Sequence, residues 1–335
     1  QENPNARRFP RLAYFGLVTE SISHEGYSSH PRHSYCDNFF ILRGLKDAAA
    51  MAVILGEDEP AQRFAALRDA FRKDLYASIR ATLKTHQIDF IPGAVELGDF
   101  DPTSTTVAVD PGGELGRLPQ PALDRTFERY FDLFRRRRDG ADDWQAYTPY
   151  ELRTVGTLVR LGFRDKAQEA LAFFLEGQRP AAWNHWAEVV WHDPKAPRFI
   201  GDMPHTWVGS DFIRAARSLF VYEREADQAL VIGAGIPAAW ATSPEGVTVK
   251  RMPTWHGTLN YRMAMAGPDR LRVQLSGDIT VPPGRIILSS PLDRPLQGVK
   301  VNNRAVETFT ETTATVDQFP AEIELYYGAK ATAAP

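Results

Sequence analysis

The sequence predicts a mainly α chain with a β tail: an α/α toroid followed by a C-terminal antiparallel β-sandwich. Three observations lead there. Apolar residues recur at helical spacing as far as about residue 226, the texture then changes to two-residue alternation, and the connections between helices are short and long by turns. Helical hairpins stacked side by side produce that last pattern, with the long loops on one rim. About three and a half hairpins are visible, short of a closed six-hairpin ring, so the toroid is expected to be incomplete as it stands. The expected domains are the toroid over 1–226, the sandwich over 227–330 and a frayed tail over 331–335.

Each element has its own signal. A first helix is expected over 38–55, where Phe39, Phe40, Leu42, Leu45, Ala49 and Val53 make a broad apolar face. A second, over 59–83, places Phe64, Leu67, Phe71, Leu75 and Ile79 on one stripe. Thr103 to Val109 reads as a short apolar helix, with Pro102 in its first turn behind an Asp101 cap. Segments 121–138, 149–161, 164–176 and 208–224 continue the pattern. Gly56, Gly140, Gly162 and Gly177 fall at or just past helix ends, as capping glycines do. Thr148-Pro149-Tyr150-Glu151 reads as a capping box, which makes Glu151 structural. In the tail, 246–251, 257–264, 270–277, 285–289 and 322–327 read as strands.

The bulk properties exclude several classes. A composition 43% hydrophobic and 24% charged is that of a soluble globular protein, and 335 residues suffice for more than one core. A formal net charge of −3 argues against nucleic acid as a main partner, and the run Arg135 to Arg138 reads as the basic end of a helix. No apolar run is long enough to cross a bilayer, so no membrane partner is expected. Cys36 is the single cysteine, which leaves neither an intrachain disulfide nor a cysteine metal cluster. The opening QENPNARRF reads as a processed mature chain or a piece of a longer one, and a periplasmic or secreted setting is expected ahead of a cytoplasmic one.

Four of the seven tryptophans and three of the eight histidines fall between Trp183 and Trp207. Pro194, Pro197, Pro204 and Gly201 make this stretch a loop. Loops face water, so indole and imidazole groups concentrated in one point to a ligand. Indole faces, ring nitrogens and the carboxylates Glu188 and Asp202 suit a sugar, which offers C–H faces to stack on and hydroxyls to bond. The expected partner is therefore a carbohydrate. No HExxH pattern, nucleophile elbow or phosphate loop occurs, so no cofactor or metal is expected, and hydrogen bonding is the reading for His24, His30 and His33.

Several short motifs carry a resemblance. They are Trp186-Ala187-Glu188, the run Met203 to Ser210, SYCDNFFILRGLKDAA over 34–49, and the tail segments GTLNYRM, VPPGRIILSSP and VKVNNRAV. Together they resemble inverting glycoside hydrolases with an α/α barrel and a C-terminal β-sandwich, of the α-L-rhamnosidase, trehalase and processing-glucosidase kind. The resemblance implies that 1–226 is the catalytic-type domain, that an oligo- or polysaccharide is the substrate, and that the catalytic Glu is Glu188. The pattern has Trp where Cys36 stands. The first barrel half is absent or reduced, which implies an N-terminal half or partner chain that completes the barrel.

Inversion needs an acid and a base about 6.5–9.5 Å apart. Glu188 is the candidate base, its structural alternative being a partner for Arg198. The candidate acids are Glu96 and Asp37. Glu96 shares a loop with Asp99 and Asp101, whose charges are expected to raise its pKa. Asp37 suits a helix cap equally well. Glu25 is a weaker candidate. Tyr35, Trp183, His185, Trp186, Asp202, His205 and Trp207 are the expected sugar contacts. Two other readings stand beside this one: a polysaccharide lyase using His205 and Tyr35 with Arg32 or Arg198, and a carbohydrate-binding fragment without turnover.

Overall fold

The computed structural model describes residues 11–23, 26–195 and 198–328. The expected frayed tail, together with His24, Glu25 and Pro197, lies outside the described residues. The fold is mixed, helices first and sheets after, and the chain divides into two compact units, 1–145 and 146–335.

In the first unit, α1 (Tyr35–Leu55) and α2 (Asp58–His86) form a hairpin. Gly56 turns the chain in the left-handed region at φ 75°, and its N–H and that of Glu57 return to the carbonyls of Val53 and Ala52. Tyr35, Phe39 and Leu42 of α1 and Leu75 and Ile79 of α2 are buried in this unit's core. A short α3 (Pro102–Val109) starts behind Asp101, whose Oδ1 accepts the Ser104 N–H at 3.0 Å, as the sequence led one to expect. The unit closes with α4 (Ala122–Arg138), which buries Leu123, Phe127, Phe131 and Phe134 and ends in the basic run. Beyond α3, Glu114 is fully buried and gathers Lys46 from α1 with Arg72 and Tyr76 from α2.

The second unit opens with β1 (Ala146–Tyr147) and a 3-10 turn over Pro149–Glu151. Thr148 precedes that turn but makes no side-chain cap, so the expected capping box is not formed. Three helices follow: α5 (Leu152–Arg160), α6 (Arg164–Glu176) and, after β2 (Val190–Trp191), α7 (Thr206–Phe220). Nearly every side chain of α5 is buried, because α6 and α7 both pack on it. Gly156 allows the closest approach: a Cβ there would lie 3.4 Å from the Ala215 Cα.

The change of texture comes earlier than the expected boundary at 226: α7 stops at Phe220, short of the expected 224, and runs straight into β3 (Val221–Arg224). The rest comprises β4 (Ala229–Ile232), a one-turn α8 (Ala238–Ala241), β5 (Val247–Thr254), β6 (Gly257–Gly267), β7 (Arg270–Gly277), β8 (Ile286–Ser289), β9 (Leu296–Val301), β10 (Arg304–Val306), β11 (Thr313–Val316) and β12 (Ala321–Tyr327). A six-stranded sheet runs β10-β9-β12-β7-β6-β5 and a four-stranded one β11-β8-β4-β3. Leu271, Val273 and Leu275 of one and Leu230, Ile232, Ile286 and Leu288 of the other share a single apolar core, as in a sandwich. One pairing departs from the antiparallel expectation: β4 and β8 run parallel, with Leu230 opposite Ile286.

Candidate functional site

Two long loops meet in the first unit. Ser21 bridges to Arg32 through both backbone bonds at 2.9 Å, and Ser34 bridges to Ala94. These pairings seat His33 against Glu96. The imidazole Nδ1 lies 2.6 Å from Oε1, and the His33 backbone N–H donates to Oε2 at 3.1 Å. Tyr14 meets the imidazole edge-on at 4.9 Å, and burial pushes its phenol up to about 12. Glu96 behaves opposite to expectation. Burial pushes its pKa up, but the hydrogen bonds from His33 outweigh that and hold the carboxylate below its ordinary range. The raised carboxyl is Asp99 instead: burial drives it upward against hydrogen bonds from the Tyr27 hydroxyl and the Ala94 N–H, both 2.9 Å.

Two other expectations in this unit need correction. Tyr35 is completely buried, and its hydroxyl is engaged by Ser78 at 2.9 Å and Thr82 at 2.7 Å, so it faces α2 and not a substrate. Asp37 does not cap α1, because the cap position is Ser34 and Asp37 lies inside the first turn. Its carboxylate accepts from the hydroxyls of Ser21 and Ser23 and ties the preceding loop to the helix.

In the second unit the Trp/His loop folds back on itself. The Glu188 N–H donates to the Asp202 carbonyl at 3.3 Å, Val189 to Ile200 at 3.0 Å, and His205 to Trp186 at 3.2 Å. Glu188 is half-buried and lies over Gly201, where a Cβ would come within 2.1 Å of its Oε2. Gly201 also sits at φ 68°, so it answers both a steric and a conformational demand.

The imidazoles are held individually. His185 Nδ1 accepts the Trp186 N–H at 2.8 Å, which leaves Nε2 to carry the proton of the neutral ring; that nitrogen lies over Gly209. His205 Nε2 lies 2.7 Å from the Tyr150 hydroxyl, and its Nδ1 is 3.8 Å from an Asp202 oxygen. Trp207 stays 48% exposed while Tyr150 meets its edge at 5.4 Å and the Arg153 guanidinium covers it at 5.6 Å. Arg153 is anchored in turn by Asp211 at 2.7 Å. Trp183 is 58% exposed where the loop begins. Trp186 is the correction here: at 1% exposure, with its indole N–H donating to the Phe174 carbonyl at 2.7 Å, it plugs the loop against α6 and offers no face to a sugar.

The structure thus gathers Glu188, His185, Asp202, His205 and Trp207 along one folded loop, and it places Asp37 and Glu96 in the first unit. Sequence reasoning missed Tyr150, Arg153 and Gly201. Tyr150 and Arg153 flank the residue that had been read as a cap, and Gly201 had been read only as a breaker of regular structure. A cavity of about 800 Å³ opens elsewhere in the second unit, at the α5–α6 turn. Its half-buried Arg164 is spent on the carbonyls of Ala234, Ser290 and Pro291, which makes the spot a joint between helix and sheet.

Among the described residues, no helix is long and apolar enough to cross a membrane. No protein-family model matches the chain, and no curated protein matches it. Among solved structures, a GH127 β-L-arabinofuranosidase from Geobacillus stearothermophilus T6 is matched at 15% identity and a TM-score of 0.28. The match covers 54% of this chain and 31% of that one, so this chain spans about a third of that protein's length.

Proposed function

We propose that the chain is a glycoside hydrolase that acts on an oligo- or polysaccharide by inversion, with Glu188 as the base. The observation that supports this most directly is the folded loop of the second unit. It presents a carboxylate over a glycine, two exposed indoles, two imidazoles and the exposed Asp202 on one stretch of chain. Trp207 and Trp183 would stack on sugar rings, and His185, Asp202 and His205 would bond hydroxyls. Glu188 would take the proton of the attacking water. Of the carboxylates read as acids from the sequence, Glu96 is unsuited to donating a proton, because His33 keeps it ionised. The hairpin α5–α6 is then one of the toroid's repeating units.

The test is reducing-end release from a broad glycan panel by the wild-type chain and by Glu188→Gln. A loss of about 10²- to 10⁴-fold in the variant is expected, the usual contribution of a general base. NMR of the fresh product then shows the anomer. Equal cleavage by both proteins removes Glu188 from the chemistry.

One observation favours a lyase as the second reading. The phenol of Tyr150 and the imidazole of His205 share a 2.7 Å contact, with Arg153 stacked 5.0 Å from the phenol ring. Such a pair can abstract a proton beside a uronate carboxylate that an arginine neutralises, and here Tyr150 replaces the buried Tyr35 in that role. Ultraviolet-absorbing products from a uronate polymer, lost in Tyr150→Phe, would establish it over hydrolysis.

A further inference from the structure

In the first unit, Glu20, His33 and Glu96 each bring one ligand atom within 4.8 Å of the other two. They come from three extended segments lying side by side. Glu20 precedes Ser21, which bridges to Arg32, and His33 sits between Arg32 and Ser34. Ser34 bridges to Ala94, and the Val95 N–H donates to the His33 carbonyl at 3.1 Å, one residue before Glu96. The backbone, and not a chance meeting of long side chains, therefore sets the cluster. Tyr14 fixes the plane of the imidazole at 4.9 Å.

The chemistry of the group asks for a cation. His33 accounts for one carboxylate through its 2.6 Å contact with Glu96. Among the described residues, nothing pairs with Glu20, yet its oxygen is set beside an already occupied Glu96. Two carboxylates that close repel unless a positive charge stands between them. They are also closer than the ~6.5–9.5 Å of an inverting acid/base pair, so that role does not explain them. Metal–ligand bonds of about 2.0–2.2 Å put neighbouring ligand atoms roughly 3–3.5 Å apart, within small side-chain movements of this arrangement. An imidazole with two carboxylates suits a first-row transition ion better than calcium or magnesium, which prefer all-oxygen sites. The His33 and Glu96 side chains are only 22% and 11% exposed, whereas Glu20 faces water. One side of the site is thus sheltered and the other is open to solvent.

We propose that Glu20, His33 and Glu96 bind a single divalent transition-metal ion, joining the loop before α1 to the loop between α2 and α3. The test uses the full chain stripped with a chelator, titrated with Zn²⁺ by calorimetry and with Mn²⁺ by electron paramagnetic resonance. Wild type is expected to take up one equivalent and to melt at a higher temperature with metal than without. Glu20→Gln and His33→Ala should each weaken uptake by ~10–100-fold or more, since even outer partners of metal ligands have effects of that size, and should abolish the melting shift. No uptake by wild type overturns the proposal, as does equal uptake by wild type and both variants. Circular dichroism checks that His33→Ala is folded; if it is not, Glu20→Gln alone decides, because Glu20 is exposed and its replacement removes a ligand without touching the core.

Discussion

Replacing Glu114 by glutamine keeps the shape of a fully buried side chain and deletes its charge. The carboxylate accepts from the Tyr76 hydroxyl at 2.6 Å, from Arg72 at 2.8 and 3.0 Å, and from Lys46 at 3.1 Å. In the variant, two cations whose side chains are 16% and 10% exposed would face a neutral amide that brings donors of its own. Breaking a buried ionic group from one side costs about 3–5 kcal/mol. Lys46 and Arg72 retain some access to water, which places the expectation near ~3 kcal/mol, or a fall of roughly 10 °C in the melting temperature of the first unit. The pH dependence has a definite sign. Burial pushes the Glu114 carboxyl up, but Arg72, Tyr76 and Lys46 together hold it below the ordinary glutamate value. A depressed folded pKa contributes stability that is fully present above the unfolded pKa and is lost as pH falls through the folded one. The gap between wild type and Glu114→Gln should therefore be complete at neutral pH and narrow on acidification below the ordinary glutamate range. Thermal and denaturant unfolding at a series of pH values measures it. A gap under ~1 kcal/mol at pH 7, or one that does not change with acid, would refute the reasoning.

Three further substitutions bear on the folded loop. Gly201→Ala should cost about 1–2 kcal/mol for its left-handed backbone and push Glu188 aside, since the new Cβ would meet that side chain at 2.1 to 2.5 Å. Its turnover should fall as far as that of Glu188→Gln, and full retained turnover would mean that the position of Glu188 is immaterial. Trp207→Ala should weaken sugar binding up to about tenfold, the worth of a stacking contact, with the fold intact by circular dichroism. Trp186→Phe should do the reverse, leaving sugar affinity unchanged while the orphaned Phe174 carbonyl lowers unfolding free energy by ~1–3 kcal/mol. A drop in sugar affinity in this variant would return Trp186 to the binding surface.

Period carried the reading wherever an element was long enough to show it. Arg164–Glu176 was legible to the residue, and β5, β6, β7, β8 and β12 lie where alternation placed them. The strands β3 and β4 were not legible, because VYER continues the apolar rhythm of α7 equally well in either period. Pairing makes these residues extended: β3 bonds to β4, and β4 in turn to β8 from a distant part of the chain. Side-chain roles were harder still. Trp186 and Trp207 looked alike in the loop, yet one is sealed by a carbonyl of α6 and the other is held open by Tyr150 and Arg153. Tyr35 is hidden by Ser78 and Thr82, and the ionisation of Glu96 is set by His33, all partners far away in sequence. Composition singled out the loop, but it did not tell which residues there face outward.

The parallel bond between β4 and β8 has a consequence for the order in which the chain acquires its shape. A hairpin of β3 and β4 can form as soon as it is made, but its sheet cannot grow until β5, β6 and β7 have been synthesised and β8 returns beside β4. The six-stranded sheet waits longer, because β12 lies between β7 and β9 and joins them. The four-stranded sheet is therefore complete only with β11, and the six-stranded one only with β12. The edge of β4 is bare until β8 is made and that of β7 until β12 is made, so folding must wait on pairings between distant residues, which are slow to find. Crowding at that stage favours pairing between chains. A truncation that removes only β12 should thus fail as insoluble protein rather than as a slightly weakened fold.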